Sequence, residues 1–238
     1  MLVDMFGYKK VQNAIGILKQ FEPEDGYYLA FSGGKDSICI YQLAKMAGVK
    51  FDSHYNLTTV DPPEVVRFIK TEYPDVEIHR PKESMWELIV RKGFPPTRII
   101  RYCCAELKEG GGKNRTVVLG IRAEESAKRA DRKVVEICIK QNKRMINPII
   151  NWLDEDVWEF IHQFGFKYPS LYDEGFKRLG CIGCPLSQNA EYELERWPKY
   201  KQAYIRAFER MLKTIERRNV KNVRWKNGQE VYDWWLRK

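Results

Sequence analysis

Ser32-Gly33-Gly34-Lys35-Asp36-Ser37 stands between an apolar run, Tyr27–Phe31, and a segment, Ile38–Ala47, whose Ile40, Leu43, Ala44 and Ala47 share one helical stripe ending at Gly48. A buried strand that turns through glycines into a helix is half of a βαβ unit, and parallel strands need such crossovers. The alternation then repeats. Lys50–Leu57 reads as a strand, Pro63–Tyr73 as a helix opened by Asp61-Pro-Pro-Glu, Val76–His79 as a short strand and Ser84–Lys92 as a helix. Thr116–Gly120 is another buried strand, and Val134–Ile139 is predicted to run antiparallel at an edge. An amphipathic helix with Val11, Ala14, Ile15 and Leu18 on one face opens the chain. The expected class is α/β, a doubly wound, mostly parallel sheet, whose ligands bind at the carboxyl ends of strands.

From about Asn151 the composition shifts. Asp154, Glu155 and Asp156 suit the positive end of a helix through Trp158, Phe160 and Ile161, and residues 190–218 are strongly helical. The expected organisation is an α/β domain over 1–150 and a helical C-terminal extension over 151–238 carrying Cys181 and Cys184, within one compact unit. With 238 residues, 44% hydrophobic and 31% charged, the chain is globular and not a disordered tail. No apolar run approaches the ~20 residues that span a bilayer, and Met1–Lys10 lacks the apolar core of a signal peptide, so a soluble, cytoplasmic protein without a membrane partner is expected. The net charge of +9 favours polyanions such as nucleic acid, nucleotides or sulfated groups, although a generally basic solvated surface explains it equally.

The glycine segment has the parts of a phosphate cradle. Two glycines leave no Cβ in the way, the following helix directs unpaired N–H groups at the spot, Ser32 and Ser37 offer hydroxyls and Lys35 a cation. It is not a Walker loop, because Leu29 occupies the first glycine position and Asp36 the Ser/Thr position. A βα turn that happens to be rich in small residues is the plain alternative. The segment resembles the S-G-G-x-D-S pyrophosphate loop of the adenine nucleotide alpha-hydrolase superfamily, which includes ATP pyrophosphatases, tRNA thiolation enzymes and the sulfonucleotide reductases.

Cys103-Cys104 and Cys181-x-x-Cys184, separated by 77 positions, form a second cluster in a chain of six cysteines. Four thiolates from two loops can bind zinc or a [4Fe-4S] cluster, or serve as structural or redox thiols. Structural zinc usually takes two C-x₂₋₄-C knuckles, which an adjacent pair fits poorly. Cys39 and Cys138 read as small core residues. The spacing is similar to the Cys-Cys…Cys-x-x-Cys set of the iron–sulfur branch of the phosphoadenylyl-sulfate (PAPS) reductase family. Thr59–Val66, Arg101–Lys108, Gly120–Ser126 with Arg129, Asn147-Pro148-Ile149 and Tyr172–Cys181 also resemble family segments, so the likeness spans about residues 25–190.

That resemblance implies a [4Fe-4S] cluster on Cys103, Cys104, Cys181 and Cys184, and a nucleotide held by Ser32, Gly33, Gly34, Lys35, Asp36 and Ser37, with Mg2+ expected. Lys35, Asp36 and Arg122 are the expected catalytic residues. Arg122 follows the Thr116–Gly120 strand and, with Arg129 and Lys108, would clamp a phosphate or sulfate, Glu125 orienting an arginine or a ribose hydroxyl. The alternative makes Arg122–Arg129 a solvated helix start with i,i+4 ion pairs. Asp61 is either an adenosine contact or a turn residue before proline. Trp197, Trp225, Trp234 and Trp235 lie among cations that can hold nucleic acid, but packing accounts for most of them more simply. His54, His79 and His162 have no partner motif and are assigned no role.

One departure matters. The sulfonucleotide reductases attack sulfur with a cysteine in a C-terminal tail, and no cysteine follows Cys184 here. The expected function is therefore an iron–sulfur PAPS reductase family enzyme that binds ATP or a related adenine nucleotide and activates an acceptor by adenylation, with pyrophosphate release, for sulfur transfer. The iron–sulfur DNA phosphorothioation sulfurtransferase is a related example. The alternatives are a reductase of adenylyl sulfate or phosphoadenylyl sulfate using a thiol in trans, or a non-catalytic nucleotide- or nucleic-acid-binding module. Expected partners are an adenine nucleotide, a DNA or tRNA acceptor and a sulfur donor or reductant protein, with a homodimer left open.

Overall fold

The computed structural model describes residues 9–218 and 223–237. Residues 1–8, on which much of the reading of the N-terminal segment falls, and residues 219–222 and 238 lie outside the described residues. The contacts divide the chain not at one point near residue 150 but into two compact units, each discontinuous in sequence. The first takes the described chain up to Tyr55, Pro63–His79 and Gly111–Leu179, and the second takes Asn56–Pro62, Arg80–Gly110 and the described residues from Gly180 onward.

The sheet has six strands in the order β3-β2-β1-β4-β6-β5. They are β1 (Tyr27–Ala30), β2 (Phe51–Asn56), β3 (Glu77–His79), β4 (Thr116–Val118), β5 (Val135–Cys138) and β6 (Lys143–Ile146). β1 runs parallel to β2, from Tyr27↔Phe51 to Ala30↔His54, and parallel to β4, which runs parallel to β6. β5 closes the edge antiparallel to β6, from Val135↔Ile146 to Cys138↔Lys143, as its position and composition predict. β1 is buried on both faces, as a central parallel strand must be, and the Tyr27 hydroxyl satisfies itself by donating to the Leu18 carbonyl at 2.8 Å.

Helices α1 (Lys9–Gln20), α2 (Lys35–Ala47), α3 (Pro63–Glu72), α6 (Ala127–Ala130) and α7 (Asp154–Gln163) belong to the same unit. α1 buries Val11, Ala14 and Leu18, and α2 stops at Gly48, whose φ of +67° only glycine adopts readily. One expectation is corrected: Cys138 is half-buried on the edge strand instead of lying in the core. β6, which opens Lys143-Arg144, lacks the apolar pattern that would announce a strand. Cys39 is a buried core residue, as expected.

The second unit is helical: α4 (Met85–Lys92), α5 (Tyr102–Leu107), α8 (Ala190–Arg196), α9 (Pro198–Arg217) and α10 (Gly228–Leu236). α4 starts at a capping box in which the Glu87 amide donates to Ser84 Oγ at 3.3 Å and the Ser84 amide to Glu87 Oε2 at 2.8 Å. α9 buries Tyr204, Phe208 and Met211 against α4 and α10. The tryptophans pack, as the simpler reading has it: Trp235 Nε1 donates to the Pro96 carbonyl at 2.6 Å, and Trp234 meets Phe94 and Trp225 edge-on. Among the described residues no helix is long and apolar enough to cross a membrane.

Candidate functional site

The loop leaves β1 through Phe31 and enters α2 at Lys35. Gly33 takes φ +72°, and a Cβ there would lie 2.9 Å from Val65 and Ile69, so only glycine closes the turn over α3. A Cβ on Gly34 would come within 3.3 Å of the Tyr172 hydroxyl, and one on Gly120, just past β4, within 2.8 Å of the Asp36 carbonyl oxygen. Ser37 Oγ donates to the Gly34 carbonyl at 2.8 Å, and the Gly34 amide to Ser32 Oγ at 3.4 Å. The Lys35 amide donates to the Tyr172 hydroxyl at 2.9 Å, while Asp36 and Ser37 supply the first-turn amides that have no intrahelical acceptor.

The cations of the loop are not free. Lys35 is buried, its Nζ 3.1 Å from both Asp154 Oδ1 and the Lys177 carbonyl. Arg122 is also buried and spreads its guanidinium over Asp36 at 2.6 Å, Glu124 at 2.7 Å and Asp154 at 2.8 Å. Burial pushes the Asp36 carboxyl up, against the pull of Lys35 and Arg122. Glu125 accepts from the Arg122 amide at 3.0 Å and pairs with Arg129 one turn on. Tyr172, Asp154 and Glu124 are the partners that sequence reading leaves without a role. Asp154 and Glu124 read as helix-start acids, and Tyr172 as one position of a longer segment.

In the other unit the four cysteines line one cavity with Thr58, Lys108 and Tyr204 among its walls. None is in a disulfide. Cys103 and Cys104 stand on the first turn of α5 and not in a loop. Cys181 and Cys184 flank a turn that needs Gly183, at φ +68°, where a Cβ would press to 3.1 Å on Leu194. Polar groups point at the sulfurs: Arg101 Nη2 lies 3.5 Å from Cys104 Sγ and Thr58 Oγ1 3.5 Å from Cys181 Sγ. The Cys103 thiol, and then Arg101, pull Cys104 down to about 5, whereas Cys103 itself is pushed up by that same bond and by burial. Cys181 and then Asp61 hold the Lys108 ammonium above its ordinary range. Asp61 is buried and accepts from the Thr58 amide at 2.6 Å, closing the turn before Pro62.

Residues 26–187, about two thirds of the chain, match the phosphoadenosine phosphosulfate reductase domain. The chain belongs to the phosphoadenosine phosphosulfate reductase family. Among the relatives of this family member is an uncharacterized protein of Methanocaldococcus jannaschii, 29% identical over 202 residues, covering 79% of this chain and 47% of that protein. An adenosine 5'-phosphosulfate reductase of Anoxybacillus flavithermus is 26% identical over 144 residues, covering 56% of this chain and 61% of the enzyme. The chain thus spans under two thirds of either relative's length. The fold is similar to that of a phosphoadenylyl-sulfate reductase from Candida auris, solved as a phosphate complex, with a TM-score of 0.54 and 20% identity over 71% of this chain and 88% of that one.

Proposed function

We propose that this family member binds the phosphates of an adenine nucleotide on the Ser32–Ser37 loop, holds a [4Fe-4S] cluster on Cys103, Cys104, Cys181 and Cys184, and activates an acceptor for sulfur transfer. The observation that carries the reading is the convergence of four unpaired cysteines, from segments 77 positions apart, on one cavity with Lys108. The donor set fits the cluster. Sulfurs around one tetrahedral zinc lie about 3.8 Å apart, given Zn–S of about 2.3 Å. The adjacent pair Cys103-Cys104 fits a zinc knuckle poorly, whereas a cube with separate irons gives neighbouring side chains separate targets. Arg101, Thr58 and Lys108 would offset the charge of its sulfurs. Such a cluster supplies electrons or an exchangeable sulfide.

The loop's own chemistry is electrostatic. As an acceptor oxygen bonds to the α-phosphorus of ATP, the bond to the bridging oxygen breaks, pyrophosphate leaves and the acceptor's proton passes to solvent. The Asp36 and Ser37 amides and the Ser32 hydroxyl would hold the departing pyrophosphate, whose charge grows as the bond breaks. Lys35 and Arg122 act from below, fixing the first turn of α2 through Asp154 and Asp36. Because Asp36, Glu124, Glu125 and Asp154 outnumber Lys35, Arg122 and Arg129 here, a cation arriving with the nucleotide, Mg2+, completes the charge balance. DNA or tRNA is the acceptor class that the net charge of +9 favours.

Calorimetry with ATP, adenylyl sulfate and phosphoadenylyl sulfate, paired with a pyrophosphate-release assay, tests this reading. ATP should bind and release pyrophosphate, and Gly34→Val should weaken binding more than about 100-fold, or ~2.8 kcal/mol. Unchanged affinity in that variant would refute the placement of the phosphates. A second reading, sulfonucleotide reduction, is favoured by the similarity to adenosine 5'-phosphosulfate reductase. There a thiolate bonds to the sulfur of adenylyl sulfate, the S–O bond breaks and AMP leaves; a second thiol then frees sulfite, leaving a disulfide. In this reading the thiolate would be Cys138 or a thiol supplied by a partner. Sulfite formation lost in Cys138→Ser would decide for it.

A further inference from the structure

The sequence carries acid-x-His twice, Asp52-Ser53-His54 and Glu77-Ile78-His79. The first lies on β2 and the second on β3, neighbours at one edge of the sheet. Because a strand alternates faces, acid and histidine of each triplet share a face, and pairing the strands assembles all four groups. Spacing along the chain hides this, since 25 positions separate the two histidines.

The His54 ring is held in position by its neighbours. Its ring stacks on Tyr28 at 4.0 Å with only 6° between the planes. Its Nε2 is bonded to Asp52 Oδ2. Asp52 is in turn fixed by a fork from Arg115, Nη1 to Oδ2 at 2.6 Å and Nη2 to Oδ1 at 2.5 Å. The anchored carboxylate engages Nε2, so Nδ1 is the ring nitrogen turned toward β3. Nδ1 lies 2.7 Å from His79 Nε2 and 3.4 Å from Glu77 Oε2. One ligand atom from each of His54, Glu77 and His79 falls within 4.8 Å of the others.

We propose that His54, His79 and Glu77 form a binding site for a divalent transition-metal ion of the zinc class, distinct from the cysteines and completed by water. Two imidazoles and one carboxylate with an open position is a ligand set that zinc accepts, and a histidine ligand whose other nitrogen donates to a carboxylate is the usual supporting arrangement. Two nitrogens on a tetrahedral zinc at about 2.05 Å lie about 3.3 Å apart, so the ion replaces the His54–His79 hydrogen bond after a small opening. The edge allows it: the Glu77 side chain is 65% exposed and that of His79 39%, whereas His54 is 9% exposed and fixed. The ion would tie the edge strand β3 to β2.

The test uses the full chain with its thiols counted. Cobalt bound by thiolate shows a sulfur-to-metal charge-transfer band that nitrogen and oxygen ligands lack, so the two kinds of site separate in one spectrum. The wild type should take up about one equivalent of Co2+ without that band, displaceable by Zn2+ and accompanied by a higher melting temperature. His79→Ala, a substitution at a half-exposed position, should lose that equivalent and the thermal shift while its thiol count stays the same. Asp52→Asn, which keeps all three ligands, should weaken binding about 10- to 100-fold. Equal uptake of band-free cobalt by wild type and His79→Ala, or none by either, would show that the pair makes a hydrogen bond only and would overturn the proposal.

Discussion

Tyr172 supplies the acceptor for the Lys35 amide from 137 positions away, and it limits what can stand at Gly34. Tyr172→Phe removes that acceptor from a helix start, so a loss of about 1 kcal/mol in unfolding free energy is expected, with weaker nucleotide binding because the first turn is less well held. Gly33→Ala should cost more. The αL backbone alone penalises alanine by about 1–2 kcal/mol, and the added methyl would press on Val65 and Ile69. Urea midpoints for both variants check the ordering, and equal midpoints would contradict it. At this scale the sequence is a good guide to the small residues and a poor one to the charged ones. The glycines and serines of the loop act locally, so their roles can be read from their neighbours. Lys35 and Arg122 read from the sequence as phosphate ligands, and the structure shows them buried and paired with Asp154, Asp36 and Glu124, partners that only the fold brings near.

Among the elements, α7 shows how a helix start can carry a pH signature. Asp156 in its first turn is buried, accepts from the Leu153 amide at 2.7 Å and pairs with Lys10 at 2.5 Å. Burial pushes its carboxyl up, but Lys10 and the Leu153 amide outweigh that and hold it below the ordinary range. A depressed folded pKa contributes stability above the unfolded value of about 3.9 and loses it as pH falls through the folded value. Asp156→Asn should therefore cost about 1–2 kcal/mol at pH 7 and nothing once acid has protonated the wild-type side chain. Denaturation curves at pH 7, 4 and 3 should converge, and parallel curves would count against this account. Element types were legible where periodicity was clean, down to the antiparallel edge strand β5. β6 was not, because Lys143 and Arg144 break its apolar pattern, and α5 was not, because its six residues are too few to show a period.

For the whole molecule, the class of sheet follows from the repeated strand–helix alternation, but the division of the chain does not. Three stretches of the chain build each unit, and the change in composition near residue 151 marks none of the crossings, since Gly111–Leu179 stays within one unit. Each candidate site nevertheless lies within a single unit. The loop, Arg122, Glu125 and Arg129 belong to one, and the four cysteines, Asp61 and Lys108 to the other. The overall charge of +9 is likewise no guide to the loop, where carboxylates outnumber cations. The central claim is that the four cysteines hold an iron–sulfur cube, and metal analysis of anaerobically purified protein addresses it most directly. About four irons and four acid-labile sulfides per chain are expected, with a brown colour lost in Cys181→Ser. Colourless protein carrying one zinc per chain, or iron content unaffected by that substitution, would contradict it.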